Sequence, residues 1–234
     1  MASGPEIRRP SPAVEDYLKA VWHISEEGHD LVTTSRVATD LGVTPASASN
    51  MLKRLAGMGY VSPLERGVTL TGEGRAAALE VVRHHRLLET FLAEVLGVPL
   101  DRVHAEAEIL EHHISEDLEA RIAAALGDPA RDPHGDPIPT VSGHVDRLVD
   151  HPLSDLPCRT RAVISRVGDR DPEIVAALAG IEAVPGSWIE SERVDGGYLV
   201  RTDNGEVLLP AQAGEAVRVH QSGSRPSTRS TRSA

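Results

Sequence analysis

Residues 33–55 read TTSRVATDLGVTPASASNMLKRL. Thr33 and Thr34 open a short apolar period through Val37, Ala38 and Leu41, and Gly42 ends it. Thr44-Pro45 starts a second period, with Thr as N-cap and Pro at the first helical position. Ala48, Met51, Leu52 and Leu55 then recur at helical spacing. Helix, tight turn, helix is the order of a DNA-reading helix-turn-helix. Upstream, Val14, Leu18, Val21, Trp22 and Ile24 predict a preceding helix within 12–27. Downstream, Tyr60-Val61-Ser62 and Gly67-Val68-Thr69-Leu70 flank a turn at 63–66 and predict two short strands. Three helices and a hairpin make a winged helix-turn-helix.

The second helix of the pair turns Thr44, Ala46, Ser47, Ser49, Asn50, Lys53 and Arg54 away from its apolar side. Small residues let its N-terminus enter the major groove closely, and an Asn there can pair with adenine. Lys53, Arg54 and the turn residue Arg66 suit phosphate contacts, and Thr34 and Arg36 of the first helix join the candidate DNA-facing set. The competing reading is an ordinary three-helix domain with a hairpin.

Charge at first argues against a nucleic-acid partner, because the 234-residue chain is formally −11. The excess is not evenly spread. Residues 1–75 net −1, residues 76–150 net −9 and residues 151–234 net −1. The DNA-reading segment is therefore nearly neutral. The single Cys, Cys158, forbids an internal disulfide and suits a reducing compartment. No apolar run approaches the roughly 18 residues of a membrane span, and the N-terminus lacks the apolar core of a secretion signal. A cytoplasmic, non-membrane protein is expected.

The acidic third carries a histidine pattern. His104, Glu108, Glu111 and His112 fall at i, i+4, i+7 and i+8 in a helix expected over 101–126. His85 and Glu89 sit at i, i+4 in a helix expected over 73–96. Facing helices would offer three imidazoles and three carboxylates, a set costly to bury without a cation. Exposed polar helix faces are the alternative. His84 and His113 fall one residue off these stripes. Residues 128–157 read as a Pro-rich linker with one short helix over 142–150. Beyond it, 161–167, 187–193, 198–202 and 206–209 predict strands of a five-stranded small barrel, with a helix over 172–180. The Ser/Arg/Thr-rich end, 221–234, is expected to be disordered.

Taken together, EDYLKAVWHI (15–24), TPASASNMLKRL (44–55), RHHRLLETFL (83–92), RVHAEAEILEHHIS (102–115) and HGDPIP (134–139) resemble the diphtheria-toxin-repressor family of metal-dependent transcriptional repressors. The resemblance implies a mainly α chain with a small β part. A winged helix-turn-helix domain (1–75) would precede a helical metal-binding and dimerisation domain with linker (76–150), an SH3-like, FeoA-type barrel (151–220) and the tail. It implies a homodimer on palindromic double-stranded operator DNA, and a regulator of metal-uptake genes with no membrane role and no small organic substrate.

The resemblance also implies two metal sites per subunit. The first takes Asp16, Glu108, Glu111 and His112; the second takes His85, Glu89 and His104, completed from the barrel by Asp171 or Glu173. Iron-responsive relatives place Met and Cys where this chain has Asp16 and Glu108. Two carboxylates favour Mn²⁺, with Fe²⁺ second and Co²⁺ or Zn²⁺ able to substitute. Lys19 stands where short manganese regulators hold a further carboxylate, which argues against a closely spaced pair of ions. Repulsion among the metal-free carboxylates is expected to let the winged helices swing. Two other classes compete: a metal-dependent hydrolase, which needs a substrate cleft that no motif marks, and a metal-buffering interaction module.

Overall fold

A computed structural model describes residues 10–26 and 31–220. The tail expectation for 221–234 lies outside them. The described chain divides into two compact units, one of residues 10–88, 107–130 and 138–146, the other of 89–106, 131–137 and 147–220.

The first unit holds α1 (Pro12–Glu26), α2 (Thr34–Asp40), α3 (Pro45–Gly57), the hairpin β1 (Val61–Leu64) and β2 (Gly67–Leu70), most of α4 (Gly72–Glu94), the end of α5 (Leu100–Leu110) and α6 (Glu116–Ala125). Thr33 and Thr44 cap α2 and α3 by accepting from the backbone N–H of Arg36 (3.3 Å) and Ser47 (3.1 Å). Val14, Leu18 and Trp22 of α1 pack with Val37, Leu52, Leu55, Val61 and Leu79 in one core. Leu18 and Leu55 are fully buried, so truncating either to Ala would cost about 2–5 kcal/mol. The hairpin pairs antiparallel from Val61↔Leu70 to Leu64↔Gly67. Gly67 is required where Val32 bridges to Val68, because a Cβ there would meet the Val32 carbonyl oxygen at 2.4 Å.

One expected helix is two. The period over 101–126 breaks after Leu110, and residues 111–113 form a turn. Ser115 then caps α6, accepting from Leu118 N–H at 3.3 Å. Glu111 and His112 therefore leave the helical stripe and project from a turn. The short helix expected over 142–150 is also absent; that stretch is turn and irregular chain.

The second unit is built on a six-stranded antiparallel sheet of order β3-β8-β4-β5-β6-β7. Its strands are β3 (His151–Pro152), β4 (Thr160–Val167), β5 (Trp188–Val194), β6 (Gly197–Thr202), β7 (Gly205–Pro210) and β8 (Val217–His220), with α7 (Pro172–Ala179) and the short α8 (Ala213–Ala216). The expected five-stranded barrel is thus a six-stranded SH3-like sheet, and no pairing joins β3 to β7 to close it. The short strands β3 and β8 went unseen because two and four residues carry too little alternation. Ile164, Ile174, Leu178, Ile189 and Leu209 form its core.

Asp150 ties this unit together. Its carboxylate accepts from Arg166 Nε and Arg218 Nε, each at 3.0 Å. Burial pushes its pKa up, but the two guanidinium groups outweigh that and hold it below the usual carboxylate range. A depressed folded pKa stabilises the fold above the unfolded value of about 4, and the contribution disappears as pH falls through the folded pKa. Asp150→Asn is therefore expected to cost about 2 kcal/mol at pH 7. The gap between variant and parent should narrow as pH falls below the ordinary carboxylate value of about 4, read by denaturant melts at neutral and acid pH.

Candidate metal centres and the DNA-facing surface

The first centre forms where α1 meets the turn after α5. Asp16, Glu111 and His112 bring ligand atoms within 4.8 Å of one another. His112 Nε2 lies 2.9 Å from Asp16 Oδ1 and 3.5 Å from Glu111 Oε1. Its other nitrogen, Nδ1, lies 2.6 Å from Glu15 Oε2. A carboxylate holding one imidazole nitrogen fixes the ring and turns the second nitrogen toward the centre. The sequence reading missed Glu15, although its place beside Asp16 was the available signal.

Glu108, expected in the same set, is turned differently. Lys19 Nζ donates to Glu108 Oε1 at 2.6 Å and to Glu111 Oε1 at 2.5 Å. Glu108 and Glu111 also group with His85, whose Nδ1 is 2.6 Å from Glu111 Oε2. Burial disfavours the Lys19 ammonium, yet Glu111 and Glu108 outweigh this and raise its pKa. Burial likewise raises Glu111, while His85 and Lys19 bring it below the ordinary value. Asp16 is raised, mainly by burial, against the pull of His112 and Lys19. The donors are hard oxygens and one oriented imidazole nitrogen, and an ammonium already sits against two of the carboxylates. The residues fit a small divalent cation.

The second cluster lies in the sheet-bearing unit. His104 Nδ1 is 3.4 Å from Glu89 Oε1 and 3.3 Å from Asp169 Oδ2. Glu89 also groups with Asp132 and His134, all three buried. His134 Nε2 donates to the Leu100 carbonyl at 3.1 Å, while its buried Nδ1, 3.5 Å from Glu89 Oε2, has no hydrogen-bond partner. Burial favours the neutral ring, but Glu89, helped by Asp132 and Asp169, raises the His134 pKa from 6.5 to about 9. With its proton displaced, this buried nitrogen and the carboxylates around it fit a cation.

Two residues expected in this set stand elsewhere. Asp171 is the N-cap of α7, accepting from Ile174 N–H at 3.3 Å, and Glu173 is exposed on that helix's first turn. Asp169, two residues earlier, is the carboxylate that reaches His104. His85 lies one turn before Glu89 on α4 and bonds to Glu111, as described. Asp132 and His134, unassigned by the sequence, carry no periodicity because they sit in a loop. Gly135 shapes that loop at φ +94°, where a Cβ would meet the Ser165 carbonyl oxygen at 2.2 Å.

On the DNA-facing side, Thr44, Ala46, Ser47, Asn50, Lys53 and Arg54 are exposed along α3, and Ser49 is half-buried. Arg66 is exposed in the β1–β2 turn. Thr34 and Arg36 are half-buried on α2. The α3 N-terminus is further ordered by a 2.9 Å bond between the Thr44 and Ser47 hydroxyls.

Family profiles match three consecutive stretches. They are the N-terminal DNA binding domain of iron dependent repressors (11–66), their metal binding and dimerisation domain (71–140) and a FeoA domain (151–221). The iron-dependent repressor IdeR of Mycobacterium tuberculosis is 30% identical over 223 residues, covering 88% of this chain and 96% of its own. The diphtheria toxin repressor of Corynebacterium efficiens is 31% identical over 219 residues, covering 88% and 94%. A solved manganese-dependent transcriptional repressor in complex with manganese is 40% identical with TM-score 0.79, covering 88% and 98%. With its three parts matched in order and relatives aligned along almost their whole length, the chain belongs to the iron-dependent, or diphtheria-toxin, repressor family of metal-dependent transcriptional repressors.

Proposed function

We propose that the chain is a cytoplasmic Mn²⁺-dependent repressor, not an enzyme, that binds a palindromic operator as a homodimer and controls metal-uptake genes. The observation that carries this reading is the cluster of Asp16, Glu111 and His112. It joins α1 of the winged helix to the turn after α5 through oxygen and imidazole donors alone. Sulfur donors would favour softer, later ions; carboxylates favour Mn²⁺, with Fe²⁺ second. The 40% identity to a manganese-dependent repressor, against about 30% to iron-dependent ones, supports the same choice. Two ions per subunit are proposed, the second held by Glu89 and His104 with Asp169, Asp132 and His134.

An ion held by Asp16, Glu111 and His112 would supply positive charge between α1 and the turn after α5. The rest is done by the chain. Glu15 fixes the His112 ring, and Lys19 holds Glu108 and Glu111. The expected swing driven by carboxylate repulsion is therefore unnecessary, because Lys19 neutralises two of the carboxylates involved. What changes is the preference between two orientations of α1, and only that difference couples metal to DNA. The same coupling requires operator DNA to raise Mn²⁺ affinity by the factor with which Mn²⁺ raises DNA affinity.

Gel mobility shift against duplexes selected from a random pool, with Mn²⁺, Fe²⁺ under anoxia, or chelator, tests the reading. Metal-independent binding, or none in any condition, would overturn it. On the selected site, Asn50→Ala is expected to relax preference at one base pair, worth about 1–3 kcal/mol of discrimination. Lys53→Ala should weaken binding to all sequences alike and lower the salt slope by about one.

A further inference from the structure

We propose that Arg166 is a positioning residue for the second centre. It sets where Asp132 and His134 stand, and so sets the affinity of that centre, without touching the ion. This rests on the reading of Glu89, His104, Asp169, Asp132 and His134 as one cation site.

The end of β4 is irregular. Its pairing with β8 shifts between Ile164, opposite Val219, and Arg166, opposite Arg218, so two steps along β4 match one along β8. Ser165 is the extra residue. Strict alternation would put Arg166 on the core face with Ala162 and Ile164, and Val167 outside. Instead Val167 is 2% exposed and packs in the core with Ile164, while Arg166 is half-buried. The bulge changes the phase of the strand and re-aims one side chain.

That side chain reaches the loop 131–137. Arg166 Nη1 donates to Asp136 Oδ1 at 2.9 Å, and Val167 N–H donates to the His134 carbonyl at 2.9 Å. Gly135 rests against the carbonyl of Ser165, the bulge residue. The loop is closed on itself. Asp132 Oδ1 accepts from the backbone N–H groups of His134 (2.9 Å) and Asp136 (3.0 Å), and Asp132 N–H donates to the Asp136 carbonyl at 3.0 Å. A hold on Asp136 is therefore passed to Asp132 and His134 as one body. Three residues beyond Arg166, the same chain delivers Asp169 to His104.

An ordinary ion pair within the sheet is the alternative, because Arg166 Nε also donates to Asp150 Oδ2 at 3.0 Å. Asp150 already accepts from Arg218 Nε at 3.0 Å, however. That carboxylate keeps a guanidinium without Arg166, and what the second guanidinium adds is the link to the loop. Partners that orient metal donors in this way are worth about 10–100-fold in affinity.

The test uses the full chain and Mn²⁺ alone, with ions counted by native mass spectrometry and affinities read by calorimetric titration. Glu89→Gln should abolish one ion and so mark the second centre. Asp136→Ala cuts the loop's half of the link and leaves Arg166 on Asp150. It should weaken that same ion by about 10–100-fold and leave the other at the parent's affinity. Arg166→Leu should do likewise, and the double variant should fall no further than the worse single one, because both remove one link. Asp136→Glu, which keeps the charge, should stay close to the parent. Ile189→Val, a core change in the same unit, lowers stability and should leave both affinities unchanged. Parent-like affinity in Asp136→Ala and Arg166→Leu would overturn the proposal and leave the centre standing. Two ions retained in Glu89→Gln would remove the centre itself, and the proposal with it. An equal loss in Ile189→Val would reduce Arg166 to a structural role. Should Arg166→Leu fail to fold, Asp136→Ala decides alone.

Discussion

Asp16→Ala is expected to abolish Mn²⁺-dependent operator binding while leaving a folded dimer. Asp16 is half-buried on α1, and its Oδ1 faces His112 Nε2 at 2.9 Å, which makes it the proposed α1 donor of the first centre. Removing it deletes no core contact, because the α1 core residues Val14, Leu18 and Trp22 are separate. It deletes the α1 carboxylate through which the proposed ion would join α1 to Glu111 and His112. The loss in metal response should be at least 100-fold, about 2.7 kcal/mol of coupling. Circular dichroism and sedimentation should match the parent. A variant that still shifts operator DNA with the parent's Mn²⁺ dependence would remove Asp16 from the centre.

Lys19→Ala is expected to be the most destabilising single change at this site. The Lys19 side chain is 11% exposed, and its amine holds Glu108 and Glu111, the latter with a fully buried side chain. Taking away one partner of a buried ion pair costs about 3–5 kcal/mol, because the charge left behind is uncompensated. Denaturant melts of the chelated chain should show that loss. Mn²⁺ should recover part of it, since a divalent ion can supply charge where the ammonium stood. An equal loss with and without Mn²⁺ would mean that Lys19 is a packing residue and not a stand-in for the ion.

The winged-helix part was legible because its signals are local. Thr33 and Thr44 cap, Pro45 fixes the first turn of α3, and apolar residues repeat at 3.6. The break between α5 and α6 was written as well, in Ser115 followed by Glu116 and Asp117. It was outweighed because no Gly or Pro interrupts 100–126. Asp171-Pro172 spelled a helix start, and that capping role is why Asp171 stands apart from His104. Asp169, Asp132 and His134 lie outside any regular period, so only the folded chain gathers them. The grip of Lys19 on two carboxylates about 90 residues away is a tertiary fact with no local mark.

Three residues of α1, Glu15, Asp16 and Lys19, touch the segment 108–112, and two of them do so through bonds that require no ion. Lys19 is thus a fulcrum, with Asp16 about one turn away along the same helix. On the proposed mechanism, a helix held in this way is not set free without metal, so capturing it would not cost the entropy of docking a loose body. The proposed metal response then becomes a matter of tilt about a held point. The concentration at which it responds is then set by how steeply two tethered orientations differ in energy.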